Sequence, residues 1–198
     1  GVTIRCGTEI GKDITLETIQ SDFDAIFIGT GAPKGLPLGV EGEDLSGVID
    51  GIRFLRAVNS SEAVKTGKNV AVIGGGNTAI DCARTAKRLG SESVKLIYRR
   101  TRDEMPAANE EIEALIHEGI EIQFLTTPVR FFAENGKLAR MECIRMELGE
   151  PDSSGRRRPV PVANSEFSLP IDTVITALGQ GAQTGFTEVL GVLLAKNG

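Results

Sequence analysis

Val70-Ala71-Val72-Ile73-Gly74-Gly75-Gly76-Asn77-Thr78-Ala79 carries the decision about the fold. Its first four residues are wholly apolar, the pattern of a short strand buried on both faces of a parallel sheet. The glycines break that strand, and Thr78 to Leu89 then reads as a helix. Ile80, Ala83 and Ala86 share one side of it, and Gly90 is its stop. The glycine stretch fits GxGxxA. In such a loop Gly74 permits the tight turn out of the strand. Gly76 lacks the Cβ that would keep a pyrophosphate off the backbone, and Ala79 lets helix and strand pack closely. The phosphates, with Gly75, Asn77 and Thr78 beside them, meet N–H groups at a helix N-terminus, where the dipole favours negative charge. A plain glycine-rich turn is the competing reading. The strand before and the helix after are the context that favours a nucleotide.

Downstream, Val94 to Tyr98 reads as a second strand, closed by Tyr98-Arg99-Arg100. A loop that binds NAD usually carries an Asp or Glu at this distance from the glycines, to hold the ribose 2′-hydroxyl. Two arginines there suit a 2′-phosphate instead, because a guanidinium fork matches a phosphate dianion. The dinucleotide is therefore NADPH, with Arg102 as an assisting cation. The competing reading is a solvated basic turn paired with Asp103 and Glu104. Pro106 to Gly119 reads as a further helix and Ile120 to Leu125 as a third strand. This β-α-β-α-β order predicts parallel pairing with right-handed crossovers.

After Pro128 the pattern changes. Val129 to Phe132, Leu138 to Glu147 and Glu166 to Leu169 read as antiparallel strands, with turns at Asn135-Gly136 and Asp152 to Gly155. Arg156-Arg157-Arg158 falls in that second turn and reads as a solvated or partner-facing loop. Ile171 to Leu178 is again a buried strand, and Ala177-Leu178-Gly179 leave its carboxyl end. Upstream, Val2 to Cys6 and Asp24 to Ile28 are strand-like. A short helix is expected after Asp50, an N-cap, with Ile52, Leu55 and Val58 on its apolar side. Thr66-Gly67-Lys68 reads as a turn and a candidate domain boundary. Gly29-Thr30-Gly31-Ala32 repeats the GxG theme only superficially, since Lys34 fills the third slot and no clean helix follows.

The totals narrow the function classes. Among 198 residues 40% are apolar, enough for a sizeable core, and the net charge is −5. That balance argues against a nucleic-acid partner, which demands a basic face. No apolar run has the length of a membrane span, and no secretory signal is legible. The start at Gly1, inside strand-like sequence, reads as an excised piece. Cys6, Cys82 and Cys143 lie far apart without a CxxC pair, so they read as reduced thiols of a cytoplasmic protein and not as metal ligands. His117 beside Glu118 reads as a solvated helix histidine. No catalytic acid, base or metal site stands out. Hydride transfer between cofactors has little need of one.

Three further stretches give a resemblance. They are Tyr98-Arg99-Arg100-Thr101-Arg102-Asp103-Glu104-Met105-Pro106-Ala107, Arg145-Met146-Glu147-Leu148-Gly149-Glu150 and Gly155-Arg156-Arg157-Arg158-Pro159-Val160-Pro161. With the glycine loop they resemble the glutamate synthase small (beta) subunit family over nearly the whole chain. Ferredoxin:NADP oxidoreductases and the flavin half of dihydropyrimidine dehydrogenase are related, and the alternative readings are an NAD(P)H-dependent ferredoxin oxidoreductase subunit or a non-catalytic dinucleotide-binding module. The resemblance implies a parent enzyme that passes hydride from NADPH to FAD and electrons on to iron–sulfur clusters. Its partner would be the glutamate synthase large subunit or another electron-accepting subunit. It implies that Gly75, Gly76, Asn77 and Thr78 hold the pyrophosphate and that Arg99 and Arg100 hold the 2′-phosphate. Ala177, Leu178 and Gly179 would lie near the nicotinamide. Ile10 would lie near the flavin adenine, and Thr30-Gly31 where the chain leaves the FAD domain. The FAD fingerprint, the family's C-terminal Gly-Asp and the cysteine-rich cluster segment are all absent from the sequence, so the chain alone is not expected to hold FAD tightly or to turn over.

The expected fold is α/β, a Rossmann-type NAD(P)-binding domain with a parallel sheet and an inserted antiparallel meander, plus the remnant of an FAD-binding domain. Residues 1–35 would be that remnant, 36–68 a linker with a short helix, 69–180 the NADPH domain, and 181–198 a return segment.

Overall fold

A computed structural model of the chain describes residues 1–181. Nearly all of the return segment expected at 181–198 thus lies outside the described residues. The chain divides into two units, and the described part of the first is residues 1–33. It holds α1 (Leu16–Asp22), which buries none of its residues and starts at Thr15, whose Oγ1 accepts from the Thr18 amide at 3.2 Å. The strand-like runs Val2 to Cys6 and Asp24 to Ile28 form no strand. Val2 and Phe27 are almost fully exposed. β-branched and aromatic composition favours a strand only when a neighbour supplies the ladder, and neither run has one among the described residues.

The second unit is Lys34–Gly181. In chain order it contains β1 (Lys34–Gly35), β2 (Val48–Asp50), α2 (Gly51–Asn59), β3 (Asn69–Ile73), α3 (Asn77–Arg88), β4 (Ser93–Ile97), α4 (Asn109–His117) and β5 (Glu121–Gln123). There follow β6 (Thr126–Glu134), β7 (Lys137–Pro151), β8 (Arg157–Pro161), β9 (Phe167–Pro170), β10 (Thr173–Thr176) and β11 (Gln180–Gly181). The parallel sheet has the order β2-β10-β3-β4-β5. This is a Rossmann-type fold, with β3 at the point where the strand order reverses.

The apolar strands serve two cores, one on each face. Val70, Val72, Leu96 and Ile175 pack with Phe54, Ile80, Ala83 and Leu115 from the helices. Their neighbours Ala71, Ile73, Ile97 and Val174 pack with Phe131, Leu138, Met141 and Cys143 from the antiparallel sheet. Alternate residues point to opposite faces, so a strand sandwiched between two layers must be apolar throughout. In the inserted sheet β7 pairs along its first half with β6 on one side and β9 on the other, and along its second half with β8. Asn135 and Gly136, at φ +51° and +74°, make the two-residue turn from β6 into β7.

Three expectations need correction. The 36–68 segment is more than a linker, because β2 extends the parallel sheet and α2 covers it with buried Phe54. Thr66-Gly67-Lys68 lies within the second unit and clamps it. The amides of Gly67 and Lys68 donate to Thr173 Oγ1 at 2.9 Å and to the Asp172 carboxylate at 3.0 Å. The helix expected from Pro106 begins only at Asn109. Before it, the Ala107 amide donates to Gly75 O at 3.2 Å and the Ala108 amide to Asn77 Oδ1 at 3.0 Å, which ties this segment to the glycine loop. Arg84 then straps α3 to α4 through Glu111 at 2.7 Å and Glu118 at 2.9 Å.

The two core thiols, Cys82 and Cys143, are buried, and burial pushes each pKa up to about 12. Cys6 is exposed. Ellman's reagent should therefore titrate one thiol in the native chain and three after denaturation. Rapid native reaction of more than one would contradict this packing.

Candidate functional site

Parallel strands put their carboxyl ends on one edge, and there the second unit opens into a cavity of about 430 Å³. Ile73, Ile97 and Thr176 line it at the ends of β3, β4 and β10. This volume falls within the roughly 300–1,000 Å³ usual for ligand sites. Gly74, Gly75, Gly76 and Thr78 form one wall, Ala177, Leu178 and Gly179 another, and Tyr98, Arg99 and Arg100 a third. Among the described residues the ionisable ones that line it are one tyrosine and three arginines, with no carboxylate, histidine, lysine or thiol. Such a lining attracts anions and offers no carboxylate or imidazole base to a substrate.

The three glycines are glycines for three different reasons. Gly74 sits at φ +148°, and a Cβ there would lie 2.3 Å from the Ala177 carbonyl oxygen. A Cβ on Gly75 would enter the Tyr98 ring at 2.4 Å. That ring is fixed, since its hydroxyl donates to Glu104 O at 2.7 Å. Gly76 has ordinary extended backbone at φ −93°, and a Cβ there would meet only Pro106 Cγ at 3.8 Å. Neither conformation nor packing within the protein requires a glycine at 76. The space belongs to whatever approaches the backbone from the cavity.

Gly76 is also the N-cap of α3, and no side chain caps that helix. A glycine cap leaves first-turn donors to another acceptor. Asn77 cannot bend back onto the turn, because its Oδ1 accepts from Ala108. Ala79 is fully buried under Gly74, with their Cβ positions 3.1 Å apart. An open helix start, a backbone without a side chain and a wall of cations together fit the pyrophosphate and the 2′-phosphate of NADPH.

The arginines behave differently from one another. Arg99 is exposed and reaches the cavity. Arg100 also lines it, but its side chain is only 6% exposed, and its Nη2 donates to Asp152 Oδ2 at 2.8 Å. Its Nε donates to Arg157 O at 2.7 Å. Arg102 is not brought into this group. It pairs with Glu113 of α4 and does not line the cavity. Arg156, read from sequence as part of a solvated or partner-facing loop, does line it. Arg157 is already in strand β8, so the expected turn is shorter than the sequence implied. Ile10, Thr30 and Gly31 belong to the first unit, where Ile10 is 57% exposed. No GxGxxG fingerprint of an FAD-binding turn occurs within residues 1–33. Among the described residues no three His, Cys, Asp or Glu side chains gather to hold a metal. No helix among them is long and apolar enough to cross a membrane.

A sequence profile of the pyridine nucleotide-disulphide oxidoreductase family matches residues 4–198. The NADP(+)-dependent formate dehydrogenase subunit beta of Moorella thermoacetica is 49% identical over 95% of the chain and 27% of its own length. The NADPH-Fe(3+) oxidoreductase subunit beta of Geobacter sulfurreducens is 48% identical over 99% of the chain and 30% of its own length. The small chain of Escherichia coli glutamate synthase [NADPH] is 38% identical over 90% of the chain and 40% of its own length. The chain thus spans well under half of these relatives. Among solved structures, a mutant of FprA from Mycobacterium tuberculosis shares the fold at TM-score 0.77 and 19% identity, over 90% of this chain and 55% of that one.

Proposed function

Because the chain belongs to the pyridine nucleotide-disulphide oxidoreductase family, we propose that it is the NADPH-binding portion of a flavin-dependent oxidoreductase. The observation that carries this reading is the empty space above Gly76, at an uncapped helix start, in a cavity whose charged residues are arginines. Gly75, Gly76, Asn77 and Thr78 receive the pyrophosphate, and Arg99 and Arg100 stand at the 2′-phosphate end. Ala177, Leu178 and Gly179 form the wall at the nicotinamide end, where backbone at strand ends can face the ring without a side chain intervening. Bound NADPH supplies hydride. This chain's residues bind it, orient it and keep competing groups away.

In the whole protein a domain of which residues 1–35 are a part would hold FAD as the hydride acceptor, and iron–sulfur clusters outside residues 1–198 would take the electrons onward. A role in glutamate synthase, beside its large subunit, is one form of this reading. The higher identity to the beta subunits named for formate and for ferric iron supports a second form. There the same NADPH portion serves a redox complex with another terminal acceptor. Both forms share the nucleotide site.

NADPH should protect the chain thermally more than NADH does. At a hundredfold excess over Kd, bound nucleotide contributes about 2.7 kcal/mol, or roughly 5–10 °C in a domain of this size. Differential scanning fluorimetry with the two nucleotides reads this directly. Equal protection would remove the case for a 2′-phosphate site, and no protection by either would remove the nucleotide.

A further inference from the structure

We propose that Arg156, delivered by the inserted antiparallel sheet, is the partner of Arg99 in gripping the 2′-phosphate, and that Arg100 is the residue that positions it. The inference rests on the NADPH reading of the cavity and deepens it.

Arg100 is poorly placed to be the principal phosphate ligand. Its guanidinium is buried and already engaged by the Asp152 carboxylate and the Arg157 carbonyl. An ion pair formed within the protein cancels most of the field that a second anion would feel. What Arg100 does hold is the turn that follows β7. Asp152 Oδ2 grips Arg100, while Asp152 Oδ1 accepts from the Ser154 amide at 2.8 Å and the Ser154 hydroxyl at 2.5 Å. The Asp152 amide donates to Arg156 O at 2.7 Å, and the Gly155 amide to Asp152 O at 2.9 Å. One carboxylate therefore closes the turn and fastens it to the end of β4, some 50 residues earlier in the chain.

The residue presented by that turn is Arg156. Its Nε donates to Ser154 Oγ at 3.0 Å, which fixes the direction of the side chain and leaves the Nη groups available. Among the described residues it pairs with no carboxylate, and it lines the cavity with Arg99. The two following arginines do not line it. Arg157 lies along its own strand pair, with Nη2 donating to Leu148 O at 2.8 Å, and Arg158 is exposed. Of three identical residues in a row, the turn aims one at the nucleotide.

Isothermal titration of the chain with NADPH, NADH and 2′,5′-ADP tests this. Arg156→Ala should weaken NADPH and 2′,5′-ADP by roughly tenfold or more, the worth of a charge-assisted contact, and leave NADH within about twofold. Arg156→Lys should restore part of the loss, since it returns the charge without the fork. Arg158→Ala, two residues along and outside the cavity lining, should leave all three ligands unchanged, which separates a specific contact from the general positive field. Loss of NADPH and NADH in equal measure from Arg156→Ala, or loss of neither, overturns the inference while leaving the nucleotide site intact. A wild-type chain that binds none of the three ligands overturns the nucleotide site and, with it, this inference.

Discussion

Gly74→Ala should destabilise the second unit by roughly 3–5 kcal/mol, whereas Gly76→Ala should leave it folded and largely blind to nucleotide. At Gly74 the backbone lies at φ +148°, and the added methyl would sit 2.3 Å from the Ala177 carbonyl oxygen. A side chain held in a sparsely populated φ region costs about 1–3 kcal/mol, and forcing atoms into a packed core about as much again. The obstacle is backbone, and it is pinned, since the Ala177 amide donates to Ile73 O at 2.8 Å. The thermal midpoint should fall by about 10 °C or more. At Gly76 the methyl meets no protein atom closer than 3.8 Å, so stability should change by less than about 1 kcal/mol. The same methyl occupies the approach path of a phosphate, and each charged hydrogen bond lost there costs about 1.5–3 kcal/mol, on the order of ten- to a hundredfold in affinity. Thermal melts and NADPH titration of the two variants separate the effects. A Gly76→Ala chain that binds NADPH as tightly as wild type would show that the space above Gly76 is not where phosphate sits.

Arg100→Ala should lower the thermal midpoint by about 5–10 °C. The guanidinium is 6% exposed and serves two acceptors, one of them the Asp152 carboxylate, which is itself only 23% exposed. Removing one member of a largely buried pair leaves the other without its counter-charge, and that is costlier than deleting both. Arg100→Lys should not rescue it, because an ammonium cannot reproduce the fork that reaches Asp152 and Arg157 together. Asp152 adds a pH signature. The Ser154 hydroxyl and amide, and more weakly Arg100, hold its carboxyl below the ordinary aspartate range. A lowered folded-state pKa means that the contribution is complete above the ordinary aspartate value and fades as pH falls through the lowered one. The midpoint difference between wild type and Arg100→Ala should therefore shrink in acid. A difference that persists unchanged at low pH would mean that packing of the arginine stem, and not the ion pair, holds the turn.

Much of this was legible in the chain because the relevant signals are local. Val70 to Ile73 announces a doubly covered strand, since both of its faces must be apolar. Asp50 announces a helix start, and its carboxylate accepts from the Arg53 amide at 2.8 Å. The glycines announce the loop. What escaped depended on residues distant in sequence. Val48–Asp50 is too short to show a period and becomes a strand only because β10 lies beside it. Arg157–Pro161 carries two prolines, which argue against a strand, yet β8 sits on the edge of its sheet, where a missing N–H is tolerated. Val2 to Cys6 shows the reverse failure, a strand composition without a partner among the described residues. The place of Arg156 could not be read from a run of three arginines, because its aim is set by Asp152 and Arg100 across the fold.

The order of strands along the sheet has a consequence for biosynthesis. Among the described residues β10 is the last strand of the parallel sheet to be made, yet it lies between β2 and β3 and joins them. A nascent polypeptide emerging from the ribosome therefore carries β2 and β3 with a gap between them. The helices, β4 and the whole inserted sheet are synthesised before that gap can be filled. Contacts that span about 100 residues, such as Asn69 with Asp172, close last. Until Thr176 has left the exit tunnel, the edge of β3 that β10 will cover stays unpaired, the kind of exposed edge on which nascent chains associate.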